Sequence, residues 1–287
     1  MKTALEKSPP LRRRGNTKVL VSGTMLFLFV AMALLAPLLA PHDPNAQDLA
    51  HRLFQPWGYA KHDPTHLLGT DGFGRDYLSR LIYGSRVALL IGLLVMAISG
   101  VIGITIGMTA GYFGGVTDQV LMFVINSRLS LPVFLVVMAV VVVFGPSLMG
   151  TILILGFLQW ERFAIVSRAS TQQMAGSDFV LAARMLGFSH IRIMFTEILP
   201  NIASSLIVVA TLEMSWAIIL ESSLSFIGFG VQEPTASWGL MLAQAKQYIF
   251  FESWLLYIPG LALVALVLSI NSFGDGLGRM MGGGRKS

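Results

Sequence analysis

Residues 177–201 read SDFVLAARMLGFSHIRIMFTEILPN, a polar interruption in a chain otherwise built of long apolar runs. Two short helical patterns stand back to back within it. The first opens at Ser177 or Asp178, either of which can cap orphan amides and suits the positive end of a helix. Phe179, Val180, Ala182, Ala183 and Leu186 follow, and Gly187 is suited to a left-handed C-terminal cap. Ser189 can cap a second helix, in which Ile191, Met194, Phe195 and Ile198 recur at helical spacing until Pro200 stops it. Neither helix approaches the roughly 20 residues needed to cross a bilayer. The pair reads either as a docking element outside the membrane, with the small Ala182 and Ala183 where a partner approaches closely, or as an ordinary amphipathic loop between two membrane helices.

The composition around this stretch is that of an integral membrane protein: of 287 residues, 54% are hydrophobic and only 12% charged. The absence of cysteine excludes disulfides and thiolate metal sites. The net charge of +5 is modest, and its placement matters more. Lys2, Lys7, Arg12, Arg13, Arg14 and Lys18 crowd before the first apolar run. That placement argues for a cytoplasmic anchor under the positive-inside rule and against nucleic acid as a partner. The run 19–40 exceeds the roughly 7–15 residues of a signal-peptide core. At about 1.5 Å per residue it spans roughly 33 Å, so it is expected to be an uncleaved first span.

Taken in order, the expected organisation is a basic cytoplasmic tail (1–18), a first transmembrane helix (19–40) and an external, periplasmic segment (41–84). A five-helix membrane core (85–274) follows, containing the polar loop at 169–201, and then a cytoplasmic tail (275–287). In the external segment, Asp71 precedes Arg75 and Asp76 precedes Arg80 by four residues, which would pair them on a solvated helix. His62 and His66 invite a metal reading, but Asp63-Pro64 between them disfavours a regular helix. They are expected to cap turns or face solvent, and no metal site is expected. The second span carries Gly103, Gly107 and Gly111 at four-residue spacing, the small-xxx-small pattern of close helix packing. The third span holds Arg128 and Pro132. The fourth carries Glu161 and Arg162 toward its inner end, where snorkelling is cheap.

The fifth span holds Glu213 and Glu221. Carboxylates inside a membrane are costly and mark a functional site by default. A spacing of eight places the two within about 80° on a helix. They are expected either to form a polar stripe with Ser222 and Ser223 along a translocation path, or to be locally paired, or, for Glu221, to lie near the outer interface.

Four stretches resemble one family. Ala182, Ala183, Gly187 and Leu199-Pro200 resemble the EAA loop of bacterial ABC-importer permeases, with Leu181 in place of the acidic residue that names the motif. LGTDGFGRDYLSRLIYGSR (68–86) resembles a signature near the second span of the dipeptide, oligopeptide and nickel branch of these permeases. ESSLSFIGFGVQEPTASWG (221–239) and Gly274-Asp-Gly-Leu resemble later segments of the same branch. The resemblance implies an all-α fold with six transmembrane helices, and coupling helices at Phe179 to Gly187 that seat in a cytoplasmic ATPase. It also implies a second permease subunit, two ATPase subunits carrying ATP and Mg, and an external solute-binding protein docking near Gln232, Pro234, Trp238 and Gly239. The implied location is the bacterial inner membrane, surrounded by lipid, with both termini cytoplasmic.

No G-x-x-x-x-G-K-[ST] string occurs, so the chain itself is expected to bind no ATP by that route. No H-E-x-x-H, no nucleophile elbow and no cysteine nucleophile is present, so no catalytic residue is expected. The resulting expectation is a non-enzymatic permease subunit importing dipeptides or oligopeptides. Nickel or a metal chelate is the alternative cargo. An ion-coupled secondary transporter using Glu213 and Glu221 is the more distant alternative.

Overall fold

Asp76 starts the helix on which the others are arranged. Its extended backbone breaks the preceding loop, and its carboxylate accepts the amide of Ser79 at 2.7 Å, leaving the chain helical from Tyr77. The computed structural model describes the backbone of residues 12–282 and the side chains of residues 18–281. Lys2, Lys7, Arg285, Lys286 and the side chains of Arg12, Arg13 and Arg14 lie outside the described residues.

The helices are α1 (Arg12–Leu34), α2 (Tyr77–Phe113), α3 (Gly115–Leu129), α4 (Val133–Phe144), α5 (Leu148–Leu158), α6 (Glu161–Ala175), α7 (Asp178–Met185), α8 (Leu199–Phe226), α9 (Trp238–Ala245) and α10 (Trp254–Gly282). No β-strand forms among the described residues.

Several boundaries differ from those expected. The first span breaks at Leu35 and resumes as a single turn, Ala36–Leu39, because Pro37 has no amide to donate and its ring would strike the carbonyl of Ala33. Helix α2 begins at Tyr77, inside the segment expected to be external, and reaches 37 residues. The expected third span is two helices, α3 and α4, bent by 73°. Arg128 organises that bend: its guanidinium donates to the carbonyl of Leu131 at 3.1 Å and to that of Leu158, at the end of α5. The expected fourth span continues as one apolar stretch, Leu148–Ala175, with a local irregularity at Gln159-Trp160 that divides it into α5 and α6 and sets Glu161 and Arg162 at the start of α6. Helix α10 runs past residue 274 to Gly282.

Among the described residues, four helical stretches are long and apolar enough to cross a membrane, or five if the bent pair counts as one span. The apolar stretch Lys18–Leu34 is shorter. The expected count of six is reached only when that stretch and the bent pair are both included.

Helix α2 is the hub, packed against α6, α8, α5 and α1. Gly103, Gly107 and Gly111 line its contact with α6. A Cβ on Gly103 would lie 2.5 Å from that of Phe163, and one on Gly111 2.5 Å from the carbonyl of Arg168. The hydroxyl of Ser167 on α6 donates to the carbonyl of Gly103 at 3.3 Å across this contact. At the other edge of the bundle α10 lies against α1 and α8, where Gly274 abuts Thr211, Gly276 abuts Val19 and Gly278 abuts Val208.

Candidate functional site

The polar loop lies at the far end of α2 from Asp76. Helix α7 ends as its sequence dictates. Gly187 takes φ +76°, Phe188 donates to the carbonyl of Ala183 at 3.1 Å, and Gly187 donates to that of Arg184 at 3.0 Å. These bonds form a complete Schellman cap. The start of α7 differs from expectation. Ser177 occupies the N-cap position, but its hydroxyl donates backward to the carbonyl of Met174 at 2.6 Å and leaves the helix amides uncapped by a side chain. Ser189 accepts the amide of Arg192 at 3.4 Å.

The second helix does not stop at Pro200. A π-helical turn, Ile193–Ile198, leads directly into α8, and the stretch is helical from His190 to Phe226. The amide of Leu199 reaches back five residues to Met194. That widened turn moves the preceding carbonyls away from the Pro200 ring, which the helix then accepts at its first turn. The side-chain amide of Asn201 donates to the carbonyl of Glu197.

The loop presents two faces. Val180, Ala183, Ile193 and Ile198 are buried with Met108, Tyr112 and Phe163 in one apolar cluster. Ala183 therefore packs inward instead of toward a partner, while Ala182 and Gly187 are exposed and Leu199 is half-buried. Outward stand Phe179, Leu181, Met185, Leu186, Ile191 and Phe195, with Met185 91% exposed. This apolar row is uncovered within the subunit. Three polar contacts fasten the loop to the end of α2. The Tyr112 hydroxyl is 3.0 Å from His190 Nδ1, Arg184 Nε donates to the same hydroxyl at 3.2 Å, and the Arg184 guanidinium lies 4.6 Å from the Tyr112 ring centre. Sequence reasoning missed this clamp because its members lie on separate elements.

Within the helices, Glu213 is 1% exposed and accepts from Arg162 at 3.0 Å. Arg162 also lies 5.4 Å from the Trp216 ring, and its side chain is 52% exposed. Glu221, again 1% exposed, accepts from Ser225 Oγ at 2.6 Å and, more weakly, from Ser222 Oγ at 3.4 Å. Both carboxylates are thus locally paired inside the subunit, and the charge that reaches the surface beside them is Arg162.

The opposite end of α2 carries a second network. The expected ion pair of Asp71 with Arg75 exists at 2.7 Å, but in a buried loop instead of a solvated helix. Asp76 does not pair with Arg80; it caps α2, and Arg80 approaches Asp71 at 3.6 Å. Arg75 also bonds Glu233 at 2.6 Å and Gln244 at 3.2 Å, joining this loop to the segment before α9 and to α9 itself. Burial alone would raise the Glu233 carboxyl, but the hydrogen bond and charge of Arg75 outweigh it and hold Glu233 below the usual range. Trp238 is not a surface residue: it is 1% exposed, donates to the carbonyl of Leu81 at 2.9 Å and fits over Gly84. Gly239 packs on Ser222 and Ser225. Only Gln232 and Pro234 of the expected outer docking residues stand toward the surface.

The geometry defines a multi-pass helical membrane protein with an exposed apolar element clamped to one end of its longest helix. Residues 103–283 match the model of the binding-protein-dependent transport system inner membrane component, and residues 12–56 match the N-terminal transmembrane domain of oligopeptide transport permease C. The chain belongs to the family of binding-protein-dependent transport system inner membrane components, as a permease subunit of an ABC importer.

A di/tripeptide transport system permease protein of Pseudomonas aeruginosa is 40% identical over 257 residues, 89% of this chain and 85% of that one. A dipeptide transport system permease protein of Haemophilus influenzae is 37% identical, over 92% of this chain and 90% of that one. A probable D,D-dipeptide transport system permease protein of Escherichia coli is 34% identical, over 96% and 91%. In fold, the chain is similar to an inward-facing methionine ABC transporter, with a TM-score of 0.59 at 18% identity over 71% of this chain and 96% of that one.

Proposed function

We propose that this subunit imports dipeptides or oligopeptides, and that residues 177–201 couple it to cytoplasmic ATPases. The observation that carries the coupling role is the exposed row Phe179, Leu181, Met185, Leu186, Ile191 and Phe195, held rigidly by the Tyr112–His190–Arg184 clamp. A partner bound there moves the end of α2 with it. The apolar face provides affinity, so docking does not require the acidic residue that Leu181 replaces. The energetic requirement is that the docked row interact differently with the two ATPase states.

The peptide cargo is supported by the similarity to di/tripeptide and dipeptide transport permeases. ATP and Mg belong to two partner ATPase subunits, since this chain has no phosphate-binding loop, and its role is mechanical rather than enzymatic. A second, homologous permease completes the membrane unit, and a periplasmic binding protein delivers the peptide at the Gln232–Pro234 end. Both termini lie in the cytoplasm. Arg162, held by Glu213, is the charge this subunit offers to the path; Glu221 and Ser222 support its wall.

The test is uptake of a labelled dipeptide into proteoliposomes containing this chain with its partner permease, ATPases and binding protein. Uptake that requires ATP, and is lost in Gly187→Trp, supports the reading. A Cβ at Gly187 meets nothing within 4 Å, but φ +76° strains any larger residue, so tryptophan disturbs the cap of α7 as well as its exposed face, and both changes fall on the docking element. Uptake driven by a proton gradient without ATP, and unchanged in Gly187→Trp, overturns it.

A further inference from the structure

Three metal-ligating side chains converge at the Asp76 end of α2, and none takes part in the coupling proposed above. His42 follows the first helix, His66 lies in the intervening segment, and Asp76 caps α2. Both imidazoles direct Nδ1 at one carboxylate oxygen: His66 Nδ1 is 2.8 Å from Asp76 Oδ1, and His42 Nδ1 is 3.6 Å from it. The two rings lie 4.6 Å apart, tilted by 38°. One potential ligand atom from each residue falls within 4.8 Å of the others.

The carboxylate is preset. Its Oδ2 accepts the Ser79 amide at 2.7 Å, which turns Oδ1 toward the histidines, and the side chain is 1% exposed. His42 is fixed by its own amide, which donates to Ser79 Oγ at 3.1 Å. By contrast His62, four residues before His66, directs Nδ1 to the carbonyl of Tyr59 at 2.9 Å and stands apart.

Hydrogen bonding accounts for only half of this arrangement. His66 makes a good bond to Asp76, whereas His42 sits beyond hydrogen-bond distance with its nitrogen still aimed at the same oxygen. An ion between the three would take both imidazole nitrogens and the shared carboxylate oxygen as ligands. Two imidazoles and a carboxylate form a ligand set suited to zinc and its first-row neighbours, while calcium and magnesium prefer oxygen alone. Metal–ligand bonds of about 2.0–2.1 Å place tetrahedral ligand atoms about 3.3 Å apart. His66 would retreat from Asp76 by a few tenths of an ångström, His42 would approach it by a similar amount, and the two imidazole ligand atoms, which lie within 4.8 Å of each other, would turn toward a common centre.

We propose that His42, His66 and Asp76 bind one divalent transition-metal ion of the zinc type. The ion staples the end of the first helix and the external segment to the start of α2. The proton that His66 shares with Asp76 leaves Nδ1 for Nε2 or for solvent, and the freed lone pair binds the metal. His42, with a side chain 38% exposed, leaves the fourth position open to water.

Zinc itself is the probe. Tag-free full-length chain in detergent is titrated against a chromophoric zinc chelator, and thermal unfolding is followed with and without zinc. One equivalent per chain is expected, together with a zinc-dependent rise in the unfolding midpoint. His42→Ala and His66→Ala are each expected to weaken binding by more than the roughly 10–100-fold typical of losing a supporting second-sphere partner, and to abolish the rise. His51→Ala and His62→Ala leave both intact. Asp76→Asn retains the helix cap, so its loss of zinc binding reports the missing ligand rather than misfolding. Absence of an equivalent in the wild type, or binding in His42→Ala or His66→Ala equal to that of the wild type, overturns the proposal.

Discussion

Tyr112, at the end of α2, and His190, in the polar loop, lie 3.0 Å apart, hydroxyl to Nδ1, and Arg184 donates to the same hydroxyl. One phenol thus ties both halves of the loop to the helix that reaches the far end of the molecule. At about 1.5 Å per residue α2 is roughly 55 Å long, so a displacement at Tyr112 tilts the whole element.

Tyr112→Phe keeps the ring and its contacts with Arg184 and Phe113 but removes the hydroxyl. Each lost hydrogen bond is worth about 0.5–1.5 kcal/mol, too little to unfold the bundle. The reconstituted importer should continue to hydrolyse ATP while transporting fewer peptides per ATP. Measuring both rates in one preparation decides it; an unchanged ratio counts against the clamp.

Arg162→Ala leaves Glu213 buried without its cation. Breaking a buried pair costs about 3–5 kcal/mol, and the half-exposed Arg162 places this one at or below the low end. A lowered unfolding midpoint is expected, largely recovered in Arg162→Met/Glu213→Gln. If Arg162 serves the path, the double variant folds but its uptake stays low. Normal uptake in that variant would assign the pair a structural role alone.

Arg75 is 1% exposed and serves Asp71, Glu233 and Gln244 together. Arg75→Leu leaves the buried Asp71 with only Arg80 at 3.6 Å and backbone amides, and a loss of about 3 kcal/mol, the low end for a broken buried pair, is expected. The loss should show as faster proteolysis of the segment before α9. Unaltered proteolysis would mean that the network does not hold that segment.

The Glu233 carboxyl, held below the usual range by Arg75, gives that junction a pH dependence of known sign. Its folded value lies under its unfolded one, so its contribution is fully present above the unfolded value of about 4.3. It is lost as pH falls through the folded value, because the unfolded chain binds the proton first. Wild type should therefore lose stability on acidification more steeply than Glu233→Gln. Parallel curves from pH 6 to 3 would remove Glu233 from the account.

Gly107 faces the Ser167 side chain and the Ala164 carbonyl on α6. Gly107→Leu forces the helices apart, at a cost of about 1–3 kcal/mol or more. Monodisperse protein in detergent should fall sharply, whereas the same change at exposed Gly176, where nothing lies within 4 Å, should be tolerated.

What could be read in the sequence was local. The left-handed cap at Gly187 and the small residues at Gly103, Gly107 and Gly111 follow from chain geometry at single positions. Boundaries were harder, because a helix end depends on partners elsewhere. Pro200 is an ordinary stop signal until a π-turn moves the carbonyls it would strike. The four-residue spacing of Asp71 and Arg75 suggests a helix, but a tight loop closes the same pair. His66 finds its partners in His42 and Asp76 rather than in nearby His62, and Trp238 is buried by α2, not by its own loop. None of these long-range choices leaves a mark in periodicity.

The most direct test of the docking surface uses the absence of native cysteine. Met185→Cys and, at the opposite end, Lys61→Cys are each labelled with a membrane-impermeant maleimide in inside-out and right-side-out vesicles, with and without the ATPase subunits. Met185→Cys should react only in inside-out vesicles and become protected when the ATPases are present; Lys61→Cys should react only in right-side-out vesicles and be indifferent to them. Met185→Cys that labels from the outside, or labels equally with the ATPases bound, would contradict the assignment of residues 177–201 as the coupling element.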